Sequence, residues 1–320
     1  MSFKIEKISF QEFESEKGFN AFVREHGRVF QYPEFLKSFG SQFNIQCVYS
    51  ENELVAIIPL VIITKWKLKG YHIPPYGHIY GPVFHSTIKI DKNEVVKTYQ
   101  ERGGKLPFLE WKMPSANEDI LPYLAQGGKI IGTQTHIVSS KNTYSEKSIH
   151  SSKRRYLKKL SKLVDSGELK VISGKSSLEH VLQLQKMTGE SRGFNTSDEV
   201  LLRITQNLRE EDYFSMVVST SEGKTLAGAF CPRDKYSSYH IVNASVKHEE
   251  PLLNKSNLLS TFLAVKDASD RGLDFDFEGS NIYGIAQFYR MMGGEPKIAQ
   301  RIQFNNGQVD KLLNIMKFLK

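Results

Sequence analysis

The chain has 320 residues, about twice the ~150 at which a second domain becomes the first expectation. With 40% hydrophobic and 24% charged residues it can bury a large core, which excludes wholesale disorder and a fibrous repeat. Forty-three Lys and Arg against thirty-five Asp and Glu leave +8, a surplus that favours anionic partners such as nucleotides, RNA or acidic head groups and that a solvated surface also produces.

The chain opens without a basic stretch followed by an apolar one, so no signal peptide is expected. The longest apolar run, 54–63, is too short to span a bilayer and carries Pro59, and so predicts one or two buried strands. A cytoplasmic location is the resulting expectation. Cys47 and Cys231 sit among strand-like residues with no second ligand type nearby, which predicts two buried thiols rather than a disulfide framework or a zinc knuckle.

Along the first half, residues 43–56 read as strand, polar turn, strand. His78 and Tyr80 alternate with Ile79, which predicts a strand with both side chains facing one way, toward an inter-domain cleft or into the core. A helix ending at Arg102-Gly103, a strand over 106–113, a short helix with Tyr123 and Gly127-Gly128, and a strand over 130–138 follow. A polar stretch places the boundary near 140–150.

The second half predicts helices over 151–164, 177–190 and 197–208, then a hairpin turning at 221–223 and a strand over 238–246. The 256–269 helix has Asn254, Ser256 and Asn257 as candidate N-caps. Next come a strand over 273–277, and a helix over 283–292 that buries Ile285, Phe288 and Met292 and ends at Gly293 or Gly294. A strand over 297–304 and a C-terminal helix over 309–319, expected to pack back on the first domain, close the chain.

Laid side by side, the halves repeat. Tyr123, Gly127 and Gly128 recur as Tyr289, Gly293 and Gly294 at an offset of 166. Arg102-Gly103 recurs as Arg271-Gly272 at an offset of 169, and the strand pair at 43–56 recurs at 213–228. Each half then reads as an α/β (α+β) unit, a mixed, mostly antiparallel sheet flanked by helices.

In this order of elements, and in the Tyr289-x-x-x-Gly293 step, each half resembles the GNAT acyltransferase superfamily. Tandem halves joined through the basic segment Ser151 to Leu160 look like the Fem-type peptidyltransferases and their acetyltransferase-like relatives. Asp276-Phe277-Glu278-Gly279 with Phe288 and Gly293-Gly294 is similar to the end of that family's second domain. The stretch from Phe30 to Leu36, Ile57-Ile58-Pro59-Leu60 and Tyr80-Gly81-Pro82 are similar to its first. The resemblance implies two tandem GNAT-like domains. Residues 1–145 are expected to bind the acceptor and to be degenerate, 146–308 to bind the donor and catalyse, and 309–320 to form the closing helix. Two departures stand out. Tyr289 follows Phe288 where Fem-type enzymes using aminoacyl-tRNA tend to have Lys, and the Gly-rich pyrophosphate loop of GNAT enzymes is missing before residue 256.

Moving an acyl group to an amine needs a neutral amine, a polarised carbonyl and a protonated leaving group. Asp276 or Glu278, placed by alternation on one strand face, are candidates to accept the ammonium proton, and Tyr289 is the candidate acid, its phenol near ~10 against a thiol near ~8.5. Each has a purely structural alternative: a backbone-bonding Asp, and a Tyr that Tyr123 matches in the non-catalytic copy. Backbone N–H groups around Asn243, Ala244 and Ser245, where strands splay, are candidates to hold the carbonyl. The helix start with Asn254, Lys255, Ser256 and Asn257 would face donor phosphates. His78, Tyr80 and Arg154 are candidate substrate contacts. Lys153, Arg155, Lys158, Lys159 and Lys162 join Arg154 in a basic run that either holds a phosphorylated carrier, a nucleotide-linked sugar or tRNA, or forms a solvated face.

No P-loop, G-x-G-x-x-G, H-E-x-x-H or G-x-S-x-G occurs, and the nine His residues lack ligand spacing, so no metal is expected. The leading expectation is an acyltransferase moving an acyl group from acyl-CoA to an amine of a sugar, amino acid or cell-envelope precursor. The alternatives are an aminoacyl-tRNA-dependent transferase acting on a peptidoglycan precursor and a non-catalytic binding module.

Overall fold

A computed structural model describes residues 3–40, 42–65, 68–102, 108–114, 119–192, 198–280 and 282–305. The expected C-terminal helix over 309–319 lies outside the described residues. The chain forms two compact units, one of residues 1–133 with 298–320, the other of residues 134–297.

The first unit carries an antiparallel sheet in the order Phe3–Ile8, Phe43–Ser50, Glu53–Val61, Val83–Phe84. Pro59 is tolerated inside a strand because its chain pairs with Phe43–Ser50 on one side, while Val83–Phe84 reaches only Ala56 and Ile57 on the other. Cys47 and Cys231 are both free and buried. His78 and Tyr80 do not lie in a strand: Tyr80 makes an isolated bridge to Lys112, and both residues are buried. The short helix Leu121–Ala125 buries Tyr123 completely, edge-on to Trp111 at 5.7 Å.

In the second unit, Leu169–Ser173, Tyr213–Thr220, Thr225–Pro232 and Val242–Ser245 form an antiparallel sheet with Val242–Ser245 at its edge. The hairpin turns at Gly223, whose φ of +89 is open to glycine without penalty. Ser237–Tyr239 runs parallel to Asp274–Asp276, which pairs antiparallel with the end of Lys129–Val138. The single strand expected over 238–246 is therefore two, broken at His240-Ile241, because Tyr239 registers with Asp276 while Val242 registers with Phe230. Met216, Val218, Leu258, Val265, Phe275 and Met292 belong to the core of this unit.

The repeat extends to hydrogen bonds. Gly128 N–H donates to the Tyr123 carbonyl at 2.9 Å, and Gly294 N–H to that of Tyr289 at 3.0 Å. Thr135 bonds Asp276 in one unit and Arg301 bonds Glu110 in the other, with both partners displaced by the same 166 positions. The closing strands are exchanged, however. Lys129–Val138 follows the first copy's short helix, yet its Ile137 and Val138 pair with Asp276 and Phe275 of the second unit. Glu295–Asn305 follows the second copy's short helix Tyr283–Met291, yet residues 300–305 pair with Phe108–Met113 of the first.

Candidate active site

A cavity of about 590 Å³ opens in the second unit at the break between Ser237–Tyr239 and Val242–Ser245. His240, Ile241, Asn243 and Ser245 come from the break and the edge strand, Glu278 and Tyr289 from the elements that follow, and Lys153 from the helix Ser151–Asp165.

Asp276 and Glu278 do not share a strand face, because the strand ends at Asp276 and Glu278 turns left-handed with φ +60. A non-glycine residue in that region is held there by its surroundings. Here Asp276 Oδ1 accepts the Glu278 backbone N–H at 2.8 Å and the Thr135 hydroxyl at 2.5 Å. Gly279 follows with φ +77, and a Cβ there would collide with the Gln134 carbonyl oxygen. Asp276, 4% exposed, thus builds the turn, while Glu278 is the carboxylate on the cavity wall.

The helix Tyr283–Met291 buries Tyr289, Met292 just after it is fully buried as expected, and Ile285 and Phe288 are half-buried, packed against the core and bordering the cavity. Phe277 stacks on the Tyr289 ring at 4.5 Å and 20°, fixing its plane. Burial, and then the negative charge of Glu278, push the Tyr289 phenol up to about 12. Its hydroxyl makes no hydrogen bond among the described residues. In the first copy the matching Tyr123 is fully buried.

Along the edge strand, Asn243 and Ser245 face the cavity while Ala244 is fully buried on the other side. The Ser245 carbonyl accepts from the Thr188 hydroxyl at 3.4 Å, which ties the strand to the helix Leu178–Arg192.

The helix Ser256–Asp270 starts after Lys255 with no side-chain cap, unlike the expectation. Asn254 is taken up by His248, accepting its N–H at 2.6 Å and donating to its carbonyl, and the Ser256 hydroxyl turns back to the Leu253 carbonyl at 2.7 Å. Lys255 is exposed and Asn257 reaches the cavity. A 3-10 turn, Leu253–Lys255, runs straight into this helix, its Leu253 carbonyl taking the Ser256 N–H, and no acid stands in the first helical turn.

Three expected substrate contacts are occupied elsewhere. The Tyr80 hydroxyl accepts from Val61 N–H at 2.6 Å and donates to its carbonyl at 3.1 Å, within a residue 1% exposed. His78 Nδ1 takes a hydrogen bond from Lys112 Nζ at 2.8 Å. Arg154 donates to the carbonyls of Lys147 and Ile149 at 3.0 and 2.9 Å, closing the turn before its helix. Sequence reasoning missed His240 as a site residue, since Tyr239-His240-Ile241-Val242 reads as uninterrupted strand. Its nearest signal is a lone imidazole among apolar neighbours.

No family model matches the sequence, and no curated protein does. Solved structures do match in fold. FemX aligns with a TM-score of 0.71 at 17% identity, covering 97% of this chain and 99% of that one. L-PGS from Bacillus licheniformis aligns at 0.57 and 12% identity over 97% of both chains. A tandem GNAT protein from the clavulanic acid biosynthesis pathway aligns at 0.55 and 9% identity, covering 95% of this chain and 98% of that one. At such identities the likeness is one of fold: the chain folds as FemX and the tandem GNAT protein do.

Proposed function

We propose that this chain is an N-acyltransferase that carries an acyl group from acyl-CoA to an amine of a sugar, amino acid or cell-envelope precursor. The observation that carries the reading is one cavity holding a carboxylate on a left-handed turn, an unbonded phenol and the edge of a strand. Glu278 takes a proton from the acceptor ammonium, freeing the nitrogen lone pair to attack the acyl carbonyl. The edge strand Val242–Ser245 offers backbone N–H groups to the carbonyl oxygen as it gains charge. As the C–S bond breaks, Tyr289 meets the departing sulfur. With a pKa about 12 the phenol stays neutral and acts foremost as a hydrogen-bond donor, rather than as the matched acid expected from an unperturbed tyrosine. The second proton leaves the nitrogen as the tetrahedral intermediate collapses and ends on the thiol. The start of Ser256–Asp270, with no acid in its first turn and with Lys255 and Asn257, is suited to the donor's phosphates.

A second reading, in which the donor is an aminoacyl-tRNA, draws on Lys153 in the cavity wall and on Lys158, Lys159 and Lys162. These three are exposed and carry no ion pair among the described residues. No helix among the described residues is long and apolar enough to cross a membrane, and no group of three or more His, Cys, Asp or Glu there is placed to hold a metal.

Transfer from acetyl-CoA to a panel of amines tests the first reading. Glu278→Gln and Tyr289→Phe are each expected to lower kcat by about 100-fold. Because the phenol titrates near 12, Tyr289→Phe should lower the rate across neutral pH without moving a basic limb below pH 10. Unchanged rates in both variants sink the mechanism. RNase-sensitive co-purification of tRNA in place of saturable acetyl-CoA binding shifts the conclusion to the second reading, and absence of both leaves a binding module.

A further inference from the structure

Gly279 and Gly284 both line the cavity, for different reasons. Gly279 is called for by its left-handed φ and by the Gln134 carbonyl beside it. Gly284 has neither constraint. It is the second residue of the helix Tyr283–Met291, its φ lies outside the left-handed region, and a Cβ built on it meets nothing within 4 Å. Glycine is a poor helix former because it gives up the most backbone freedom on folding, so neither conformation nor packing favours it at this position. What the missing side chain does is leave open a part of the cavity that a larger residue would fill.

The wall around that opening is apolar. Helix residues three and four apart share a face, and the stripe of Tyr283–Met291 on the cavity runs Gly284, Ile285, Phe288, Tyr289. Ile285 and Phe288 are half-buried, packed against the core while bordering the cavity. The polar side chains Thr188, Asn243, Ser245 and Glu278 stand on other elements. Lys153 Nζ lies 6.0 Å over the Phe288 ring, which is one turn beyond Gly284. The apolar stretch is therefore about one helical turn long, ~5.4 Å. Apolar ligand atoms cover such a wall favourably, whereas a charged group laid there gives up water without gaining a partner.

We infer that Gly284 opens a slot for an apolar chain of the substrate, and that the residue at this position sets how long a chain the cavity accepts. The inference rests on the acyltransferase reading only for where that chain belongs, which is either the acyl group of the donor or the side chain of the acceptor amine. Two probe series lengthen such a chain methylene by methylene: acetyl-CoA to hexanoyl-CoA, and glycinamide to norleucinamide. Equilibrium titration of the full chain with each series requires no turnover and tells the two sources apart. In wild type, affinity is expected to rise about fourfold per methylene in one of them. Gly284→Leu is expected to abolish that rise and Gly284→Ala to reduce it, with Gly284→Ala melting no lower than wild type, so that the loss is not one of folding. Gln287→Leu, exposed on the same helix and off the cavity, is expected to keep the rise. Flat affinity across both series in wild type, a rise that survives Gly284→Leu, or a rise lost equally in Gln287→Leu overturns the slot. A Gly284-dependent rise without transfer to any amine sinks the transferase reading alone. Transfer whose kcat/KM is the same for short and long chains in both series sinks the slot alone.

Discussion

Burial sets the charge state of the side chains around the cavity before any ligand arrives. His136, fully buried on the strand next to Phe277, has its pKa lowered by desolvation and then by the Arg290 charge, partly offset by Asp276. His240 is lowered from 6.5 to about 3 by desolvation alone. Below pH 6.5 the unfolded chain protonates at His240 while the folded chain does not, so the unfolded state binds more protons and stability falls as pH falls toward 3. One such group contributes a slope of about 1.4 kcal/mol per pH unit in that window. Chemical denaturation at stepped pH should therefore show His240→Phe losing less stability than wild type between pH 6.5 and 3, and parallel curves refute the neutral buried imidazole. Glu278 and Tyr289, each in a short sequence pattern tied to glycine, Glu278-Gly279 and Tyr289-x-x-x-Gly293, both line the cavity. That Asp276 bonds the backbone was one of two alternatives in the sequence; that it and Glu278 part ways was not legible, since this depends on where a strand stops, which alternation assumes rather than predicts.

Two short elements position the site: the turn from Asp276 to Gly279 and the break at His240-Ile241. Most helices were readable from their apolar spacing, and Ser151–Asp165 and Ser256–Asp270 match their expected bounds to within a residue. The cap of Ser256–Asp270 was not, because Asn254 finds a better partner in the His248 backbone, a contact outside the helix pattern. The strand break was hidden for a related reason, as β-forming residues continue through it while their hydrogen-bond partners change sheet. Gly279 tests the turn. Alanine there meets both a left-handed φ of +77 and the Gln134 carbonyl, so Gly279→Ala should destabilise the second unit by about 2 kcal/mol or more. Gly284→Ala is the control: its Cβ meets nothing within 4 Å, and in the first turn of a helix alanine is expected to be neutral or stabilising by up to about 1 kcal/mol. Thermal melts that place Gly279→Ala alongside Gly284→Ala would show that the turn tolerates a side chain and is not what fixes Glu278.

At the scale of the whole chain, duplication was visible because Tyr, Gly and Gly recur in register, but the exchange of closing strands was not. The order of elements is identical whether each strand returns to its own copy or completes the other, and only the partner choice of residues 134–138 and 298–305 differs. That choice is written in buried polar pairs. Glu110, 2% exposed, receives Arg301 and Gln303 from the last strand, as Asp276 receives Thr135. A chain ending at Gly294 therefore takes Arg301 and Gln303 away from Glu110, leaving it the contact with His72, and strips Phe108–Met113 of a ladder partner. The expected outcome is selective collapse of residues 3–133, read by limited proteolysis and mass spectrometry as rapid cleavage there while a resistant fragment covering 134–294 persists. Were the last strand an integral part of the copy it follows, the same truncation would open 134–294 first, and that reversed pattern would refute the exchange.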